Sequence, residues 1–192
     1  MDAREVNDFW FLPPASEGYG KPRDVWFRKD AQFDAAIALR FGEVIAQALA
    51  GGLRAWDAEG AQGTLARIIV LDQFTRNSAR GTPASFAGDA LALAAAEVLV
   101  DSGAHLQLQP VQRWFAYMPF EHAEDMAAQN RSVALFTALA RDHDGFGGAL
   151  DYALRHRRVI ERFGRFAHRN AILGRVSTAA EAGFLTQPGS GF

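Results

Sequence analysis

The sequence contains no cysteine, only two lysines, and no stretch of about twenty consecutive uncharged apolar residues, the length that crosses a bilayer. Without cysteine there is no disulfide framework, no thiolate metal site and no cysteine nucleophile, as is typical of a reducing compartment. The first residues include early acids, and no basic segment precedes a long apolar one, so we expect no signal peptide. These absences predict a soluble, cytoplasmic protein with no membrane partner.

A strong excess of one charge is also missing. The formal net charge is −2, which argues against a chain-wide electrostatic attraction to nucleic acid. Eighteen of the twenty basic residues are arginines, and seven of them lie between residues 151 and 175. Arginine suits fixed, bidentate pairing with carboxylate or phosphate, although a biased genome composition produces the same preference.

Apolar residues recur mainly with helical spacing, and no segment shows sustained strand-like alternation. Phe33, Ile37, Phe41 and Ile45 predict a helix over about residues 30–50. The same reasoning predicts helices over about residues 3–12, 61–76 and 121–142, and another that ends at Phe163. One more helix is expected to start at Thr82-Pro83. A short helix is expected to start at Gln109-Pro110 and to be interrupted by Pro119. Thr178 and Glu181 form a capping-box pattern for a last helix.

The predicted fold class is therefore all-α, with a single domain over residues 1–192. We expect an array of about 8–9 helices, as the spacing of helical segments indicates, and a flexible tail at residues 186–192.

Several polar residues fall on helix faces that the apolar pattern marks as buried. Asp72 and Arg76 follow the stripe of the helix over residues 61–76 and stand four residues apart, so they can pair. Gln129 and His122 continue the stripe of the 121–142 helix, and His156 lies in the stripe that ends at Phe163. Because a buried charge without a partner costs several kcal/mol, these groups must meet partners or a solvated pocket. A satisfied structural network, a functional pocket and misassigned helix faces all stay open.

Four segments carry a family resemblance. They are Asp8-Phe9-Trp10-Phe11, Leu71-Asp72-Gln73-Phe74-Thr75-Arg76-Asn77, Met118-Pro119-Phe120-Glu121-His122-Ala123-Glu124-Asp125, and Arg162-Phe163-Gly164-Arg165-Phe166-Ala167-His168-Arg169-Asn170. In this order they resemble the bacterial domain of unknown function 924 over about residues 5–185. Thr75 and Ala167 replace the usual prolines of that family, and Ala123 replaces its usual serine. The resemblance implies a helical fold similar to the tetratricopeptide-like superfamily, and it implies no established activity.

Two functional hypotheses follow from these residues. The first is a helical-array binding module whose polar pocket holds a peptide or a small anionic ligand. Its candidate ligand-binding residues are Arg76, Asn77, Gln129, His156, Arg165, Arg169 and Asn170. The alternative is a small-molecule hydrolase or lyase. Its candidate catalytic residues are His122 or His168 as general base, Asp72 or Asp125 as the orienting carboxylate, and Arg76 and Arg169 as the anion clamp.

Metal and nucleic-acid sites are weaker interpretations. His122, Asp125, Glu121 and His168 could supply ligands, but no paired metal-binding spacing occurs, so we expect no metal and no cofactor. The arginines at 155, 158, 162, 165 and 169 would form one stripe on a continuous helix. A solvated, salt-bridged face explains that stripe better than nucleic acid does. His168, Arg169 and Asn170 could also cap neighbouring helix ends.

Overall fold

The chain is all-helical in the computed structural model, which describes residues 1–191 and has no strand in that range. Nine α-helices are present in these residues, as the sequence predicts. They are α1 (Ala3–Phe11), α2 (Ala31–Leu49), α3 (Ala61–Ile68), α4 (Thr75–Ser78), α5 (Asp89–Asp101), α6 (Pro110–His122), α7 (Met126–Asp142), α8 (Gly147–Phe163) and α9 (Ala179–Leu185). The helices group into two compact units, one comprising Met1–Arg80 with Ala84–Pro119 and the other Gly81–Pro83 with the chain from Phe120 onward. Single-domain organisation and tetratricopeptide-like stacking stay predictions.

The first unit is built around aromatic side chains from α1, α2, α6 and the segment after α3. Trp10 is fully buried and packs edge-to-face against Phe115 at a centroid distance of 5.4 Å. Phe41 and Phe74 pack with centroids 4.5 Å apart. Such pairs add about 0.5–1.5 kcal/mol each to the burial of their apolar surface. Asp30 caps α2 by accepting from the backbone N–H groups of Gln32 and Phe33, where the sequence predicts this helix to begin.

Helix α3 runs directly into a π-helical turn, Ile69–Phe74, and then into α4. The backbone N–H of Thr75 donates to the carbonyl of Val70, five residues earlier, and the Thr75 hydroxyl donates to the same oxygen at 3.0 Å. The prediction of one helix over residues 61–76 gave the extent correctly but not this wider turn. Such turns are frequent at functional sites.

Two glycines allow backbones in the first unit to approach closely. A Cβ on Gly88 would overlap the carbonyl oxygen of Leu71, and one on Gly63 would overlap that of Trp56. The residues after Thr82-Pro83 form a 3-10 turn, Pro83–Phe86, and α5 begins separately at Asp89. A helical turn thus begins at the predicted Thr82-Pro83 start, but the α-helix itself begins six residues later, at Asp89. Gly88, which lies against the Leu71 carbonyl, is the N-cap of α5.

The second unit contains α7, α8 and α9. Helices α7 and α8 pack against each other, and Val159, Ile160 and Phe166 form a buried core covered by Met126, Phe163 and Phe184. Thr178 and Glu181 form the predicted capping box at the start of α9. Residues 186–191 form turns and irregular backbone after α9, and Phe192 of the predicted tail lies outside the described residues.

The predicted helix over residues 121–142 ends as expected at Asp142, but its predicted start is wrong. Helix α6 passes through Pro119 and ends at His122, and α7 begins only at Met126 after Asp125 as its N-cap. His122 therefore belongs to the end of α6, so the stripe that joined it to Gln129 does not exist. A proline inside a helix removes one backbone hydrogen bond, and here side chains described below stabilise the last turn of α6.

By length and composition alone, the segment Pro83–Asp101 could cross a membrane, with a mean hydropathy of 1.4. One such segment is weak evidence, because buried helices of globular cores have similar compositions. Its α-helical part, α5, has 13 residues. That corresponds to about 20 Å, less than the roughly 30 Å of a bilayer core. Ala92, Ala95, Ala96 and Leu99 of α5 are buried.

Candidate functional site

The predicted acidic centre of the first unit lies in the π-helical turn. Asp72 is fully buried, and its Oδ2 accepts a 2.6 Å hydrogen bond from Nε2 of Gln73. Arg76 Nη2 lies 3.4 Å from Asp72 Oδ1 and 2.7 Å from Asp89 Oδ1. The predicted contact between Asp72 and Arg76 is present, but the shorter ion pair of Arg76 is with Asp89. This guanidinium thus joins the π-helical turn to the first turn of α5.

Asn77 belongs to a separate polar contact in the same unit. Its Nδ2 donates to Oδ1 of Asp34 at 2.9 Å. Arg80 binds the same carboxylate through Nε at 2.7 Å and Nη2 at 3.0 Å. These bonds connect α2 to α4 and its following turn, so Asn77 has a structural partner here.

In the second unit, three of the predicted site residues cap helix ends. Gln129 is fully buried, and its Nε2 donates to the carbonyl of Glu121 at 2.7 Å and to that of Ala123 at 2.8 Å. Arg169 Nη2 donates to the carbonyl of His122 at 2.9 Å. Asp125 Oδ1 accepts from the backbone N–H of Ala128 at 2.8 Å. The carbonyls at the end of α6 thus find donors that the helix itself cannot supply.

The capping role of Asp125 removes the arrangement that the sequence predicts for His122. Both residues were expected on one helix, three positions apart, with the carboxylate orienting the imidazole. Because residues 123–125 are not helical, Asp125 is the N-cap of the next helix, α7, instead. A different carboxylate of this segment, Glu121, contacts an imidazole.

Glu121 and His156 form a buried contact. His156 Nδ1 lies 3.2 Å from Glu121 Oε1 and 2.9 Å from the carbonyl oxygen of Tyr152. Burial, with a smaller contribution from the neighbouring His122, lowers the pKa of His156 to about 3, so the ring is neutral at pH 7. Because Nδ1 faces two acceptors, it carries the hydrogen, and Nε2 keeps a lone pair. The contact is thus a hydrogen bond from a neutral ring rather than an ion pair.

Two of the five histidines, His156 and His168, lie beside Phe166, and a third, His122, lies beside His156. The ring of His156 lies 6.3 Å from that of His122 and 5.4 Å from that of Phe166. The ring centroids of His168 and Phe166 lie 5.6 Å apart, and the guanidinium carbon of Arg169 lies 4.5 Å from the centroid of the Phe166 ring. His122 and His168 are half-buried, whereas His156 is almost fully buried. We call His122, His156, His168 and Glu121 the imidazole cluster.

The loop after α8 is held by ion pairs that sequence reasoning missed. Arg165 binds both carboxylate oxygens of Glu181, at 2.6 and 2.8 Å, and this pairing lowers the pKa of Glu181. Arg175 binds both oxygens of Glu124, at 2.6 and 2.9 Å. Burial raises the pKa of Glu124, but bonds from Arg175 and the Phe166 N–H outweigh this and lower it overall. The Glu181 pairing had a signal in its capping box, whereas no helical spacing indicated Glu124.

Asn170 completes this loop. It donates to Ser177 Oγ at 3.0 Å and accepts from Arg175 Nε at 3.0 Å. An open cleft of about 500 Å³ lies beside the loop, and Arg162 and Arg165 line it. Within residues 1–191, no three histidine, aspartate or glutamate side chains are placed to hold a metal ion.

The predicted site residues thus fall into two groups. Asp72, Arg76 and Asn77 belong to the first unit, and the other eight belong to the second. The second unit brings His156, His168 and Arg169 together around Phe166, with His122 beside His156. The convergence of Asp72 with His122 on one centre stays a prediction.

Comparisons with known proteins give a family and a structural relative. A solved structure titled as a protein of unknown function, ATU0120, from Agrobacterium tumefaciens is 39% identical to this chain, with a TM-score of 0.83. The similarity covers 95% of this chain and 96% of that one. No curated protein matches. The model of the family described as "Bacterial protein of unknown function (DUF924)" matches residues 6–189, and the chain belongs to this family.

Proposed function

We propose that the chain catalyses an acid–base reaction on a small polar substrate, such as the hydrolysis or elimination expected of a hydrolase or lyase. Support comes from one observation: a buried, neutral His156 that contacts Glu121 and lies beside the half-buried His122. Of the two sequence hypotheses, we favour this one because His122 and His156 lie side by side, whereas the arginines on which the binding module depends, Arg76, Arg165 and Arg169, already bind carboxylates or carbonyls of the protein. The anion clamp that Arg76 and Arg169 would form is therefore not part of this proposal.

His122 is the general base in this proposal. It is half-buried, so substrate can reach it more easily than it can reach His156. His156 is a positioning residue: its Nδ1–H is fixed by Glu121 and the Tyr152 carbonyl, and its Nε2 offers a lone pair without adding charge beside His122. Because His156 is neutral, protonation of His122 does not place two positive charges side by side. His122 therefore takes up a proton from the attacking water in a hydrolysis, or from the substrate in an elimination, and returns it to the leaving group.

The test is an activity screen of the purified protein against four probes: p-nitrophenyl acetate, p-nitrophenyl phosphate, an alkyl anilide and γ-butyrolactone. We expect turnover of at least one probe class and a loss of kcat of roughly a hundredfold in His122→Asn. His143, a half-buried histidine at the end of α7 and outside the imidazole cluster, is the matched control. The proposal is overturned if the wild-type protein turns over none of the four probes, or if kcat is unchanged in His122→Asn.

A small anionic ligand at the open cleft is the second candidate, and Arg162 favours it. Among residues 1–191 this exposed arginine has no carboxylate partner, and its guanidinium lies over the rings of Phe163 and Phe184, at 4.7 and 5.9 Å. Arg165 in the same cleft is already paired with Glu181. A carboxylate or phosphate would supply the acceptor that Arg162 lacks.

Calorimetric titration with inorganic phosphate and with succinate tests this second candidate. Arg162→Gln should weaken binding about tenfold, as for one charge-assisted contact. Arg158→Gln is the control, since Arg158 is an exposed arginine of α8 that does not line the cleft. No saturable binding, or equal losses in both variants, contradicts this site.

A further inference from the structure

The first unit contains a cavity of about 340 Å³ that neither functional hypothesis uses. It is lined by residues of α1, α3 and α6 and of the segments beside them, including Asn7, Asp8, Tyr19, Glu59, Gln62 and Gln112. Three of these six side chains are carboxamides, and no histidine lines the cavity. Its chemistry therefore differs from that of the imidazole cluster.

The three carboxamides form one hydrogen-bonded network. Gln62 Nε2 donates to Gln112 Oε1 at 3.0 Å, and Gln112 Nε2 donates back to Gln62 Oε1 at 3.3 Å. Asn7 Nδ2 donates to Gln62 Oε1 at 3.2 Å and to the Gln62 backbone carbonyl at 3.0 Å. Because a backbone carbonyl only accepts, the nitrogen of the Asn7 amide must face it. The orientation of this amide is therefore fixed.

This orientation leaves an acceptor without a donor. Asn7 is 9% exposed, and its Oδ1 is buried with no hydrogen-bond partner in residues 1–191. A buried carbonyl oxygen that lacks a donor costs free energy, so such atoms usually have an unseen partner. The missing group must be an N–H or O–H donor.

The cavity is lined by two acids, Asp8 and Glu59, and by one arginine, Arg4. Asp8 is paired with Arg4 at 3.4 Å, whereas Glu59 has no cationic partner within residues 1–191. The aromatic rings of Phe11 and Tyr19 also line the cavity. An unpaired carboxylate and aromatic walls both favour a cation.

We propose that this cavity binds a small organic cation with several N–H donors, of which an alkylguanidinium is the simplest example. One N–H supplies the donor that Asn7 Oδ1 lacks, which requires a small shift of this buried oxygen toward the cavity. The charge faces Glu59, and the alkyl part contacts Phe11 and Tyr19. An anionic ligand is disfavoured here, because Glu59 would repel it and Asn7 Oδ1 would stay without a donor.

Three probes of matched size and different charge test the proposal: propylguanidinium, propylurea and butyrate. Calorimetric or NMR titration of the whole chain should give saturable binding of propylguanidinium, binding of propylurea at least about fivefold weaker, and no binding of butyrate. Propylurea keeps the N–H donors and the shape but not the charge. Absence of saturable propylguanidinium binding, or equal affinity for propylurea, overturns the proposal.

Two variants locate the site. Glu59→Gln changes an exposed residue and should weaken propylguanidinium binding about threefold to fivefold, whereas Glu43→Gln, an exposed acid of α2 away from the cavity, should not. Asn7→Leu removes the unsatisfied acceptor and should weaken binding at least about tenfold. If Asn7→Leu does not fold, Glu59→Gln decides alone, and equal affinities of the Glu59 and Glu43 variants overturn the assignment of the site.

Discussion

The Nδ1 atom of His156 lies 3.2 Å from Oε1 of Glu121, and the two side chains are only 5% and 6% exposed. A protonated imidazole would form a strong ion pair here, yet burial keeps this ring neutral. The buried contact therefore links the stability of the second unit to pH, and it underlies the proposed role of His122.

The pH dependence of unfolding tests the neutral state of His156. Its pKa is about 3 in the folded chain and about 6.5 when unfolded. Between these values the unfolded chain binds one more proton at this site, so stability falls as pH falls, by about 1.4 kcal/mol per pH unit. Urea unfolding at pH 4.5 to 7.5 measures this slope. His156→Gln should lose it, and an unchanged slope in that variant contradicts a neutral His156.

Gln129 should matter chiefly through the end of α6. Gln129→Leu keeps much of the side-chain volume but leaves the carbonyls of Glu121 and Ala123 without their donor. We expect a loss of about 2–4 kcal/mol in the free energy of unfolding, since each unsatisfied buried group costs about 1–3 kcal/mol. Gln47→Leu on the exposed face of α2 should change it by less than about 0.5 kcal/mol. Similar values for the two variants contradict the capping role.

Arg76 should stabilise the first unit by joining Asp72 and Asp89. Arg76→Met leaves two carboxylates without this cation, one of them fully buried, and should cost about 3 kcal/mol. Arg141→Met removes an exposed pair with Asp142, 74% and 48% exposed, and should cost less than about 1 kcal/mol. Chemical denaturation compares the two variants, and a small effect at Arg76 would show that Asp72 has sufficient partners without it.

Two glycine substitutions should have opposite effects. Gly88→Ala places a methyl group against the Leu71 carbonyl and should destabilise the chain by about 1–3 kcal/mol, as overpacking does. Gly42→Ala in the middle of α2 meets no atom within 4 Å and should stabilise it by about 0.5–1 kcal/mol through helix propensity. Thermal unfolding measures both changes. If Gly88→Ala leaves the stability unchanged, the backbone at Leu71 can move aside.

Several elements were predictable because their signals are local. The cap at Asp30, the apolar spacing of α2 and the capping box at Thr178 depend only on residues within one helix, and all three are present. The family was predictable for a similar reason, since its motifs are contiguous segments.

The end of α6 was not predictable in the same way. Pro119 is normally a helix-breaking signal, but donors from Gln129 and Arg169, ten and fifty residues further on, stabilise the turn beyond it. The π-helical turn at Asp72 likewise depends on packing that local spacing does not encode. No feature of the sequence indicated the network of Asn7, Gln62 and Gln112, because its members come from three separate helices.

The sequence by itself determined the helical class, most helix positions, the family and the burial of Asp72, Gln129 and His156, because helical periodicity and short motifs act within a few residues. Only the tertiary structure decided which polar group meets which. In that structure Arg165 pairs with Glu181, Asp125 caps the start of α7, and Glu121 contacts His156. Such pairing depends on distances between helices, because tertiary packing decides which polar groups lie within hydrogen-bond distance of a buried charge or imidazole.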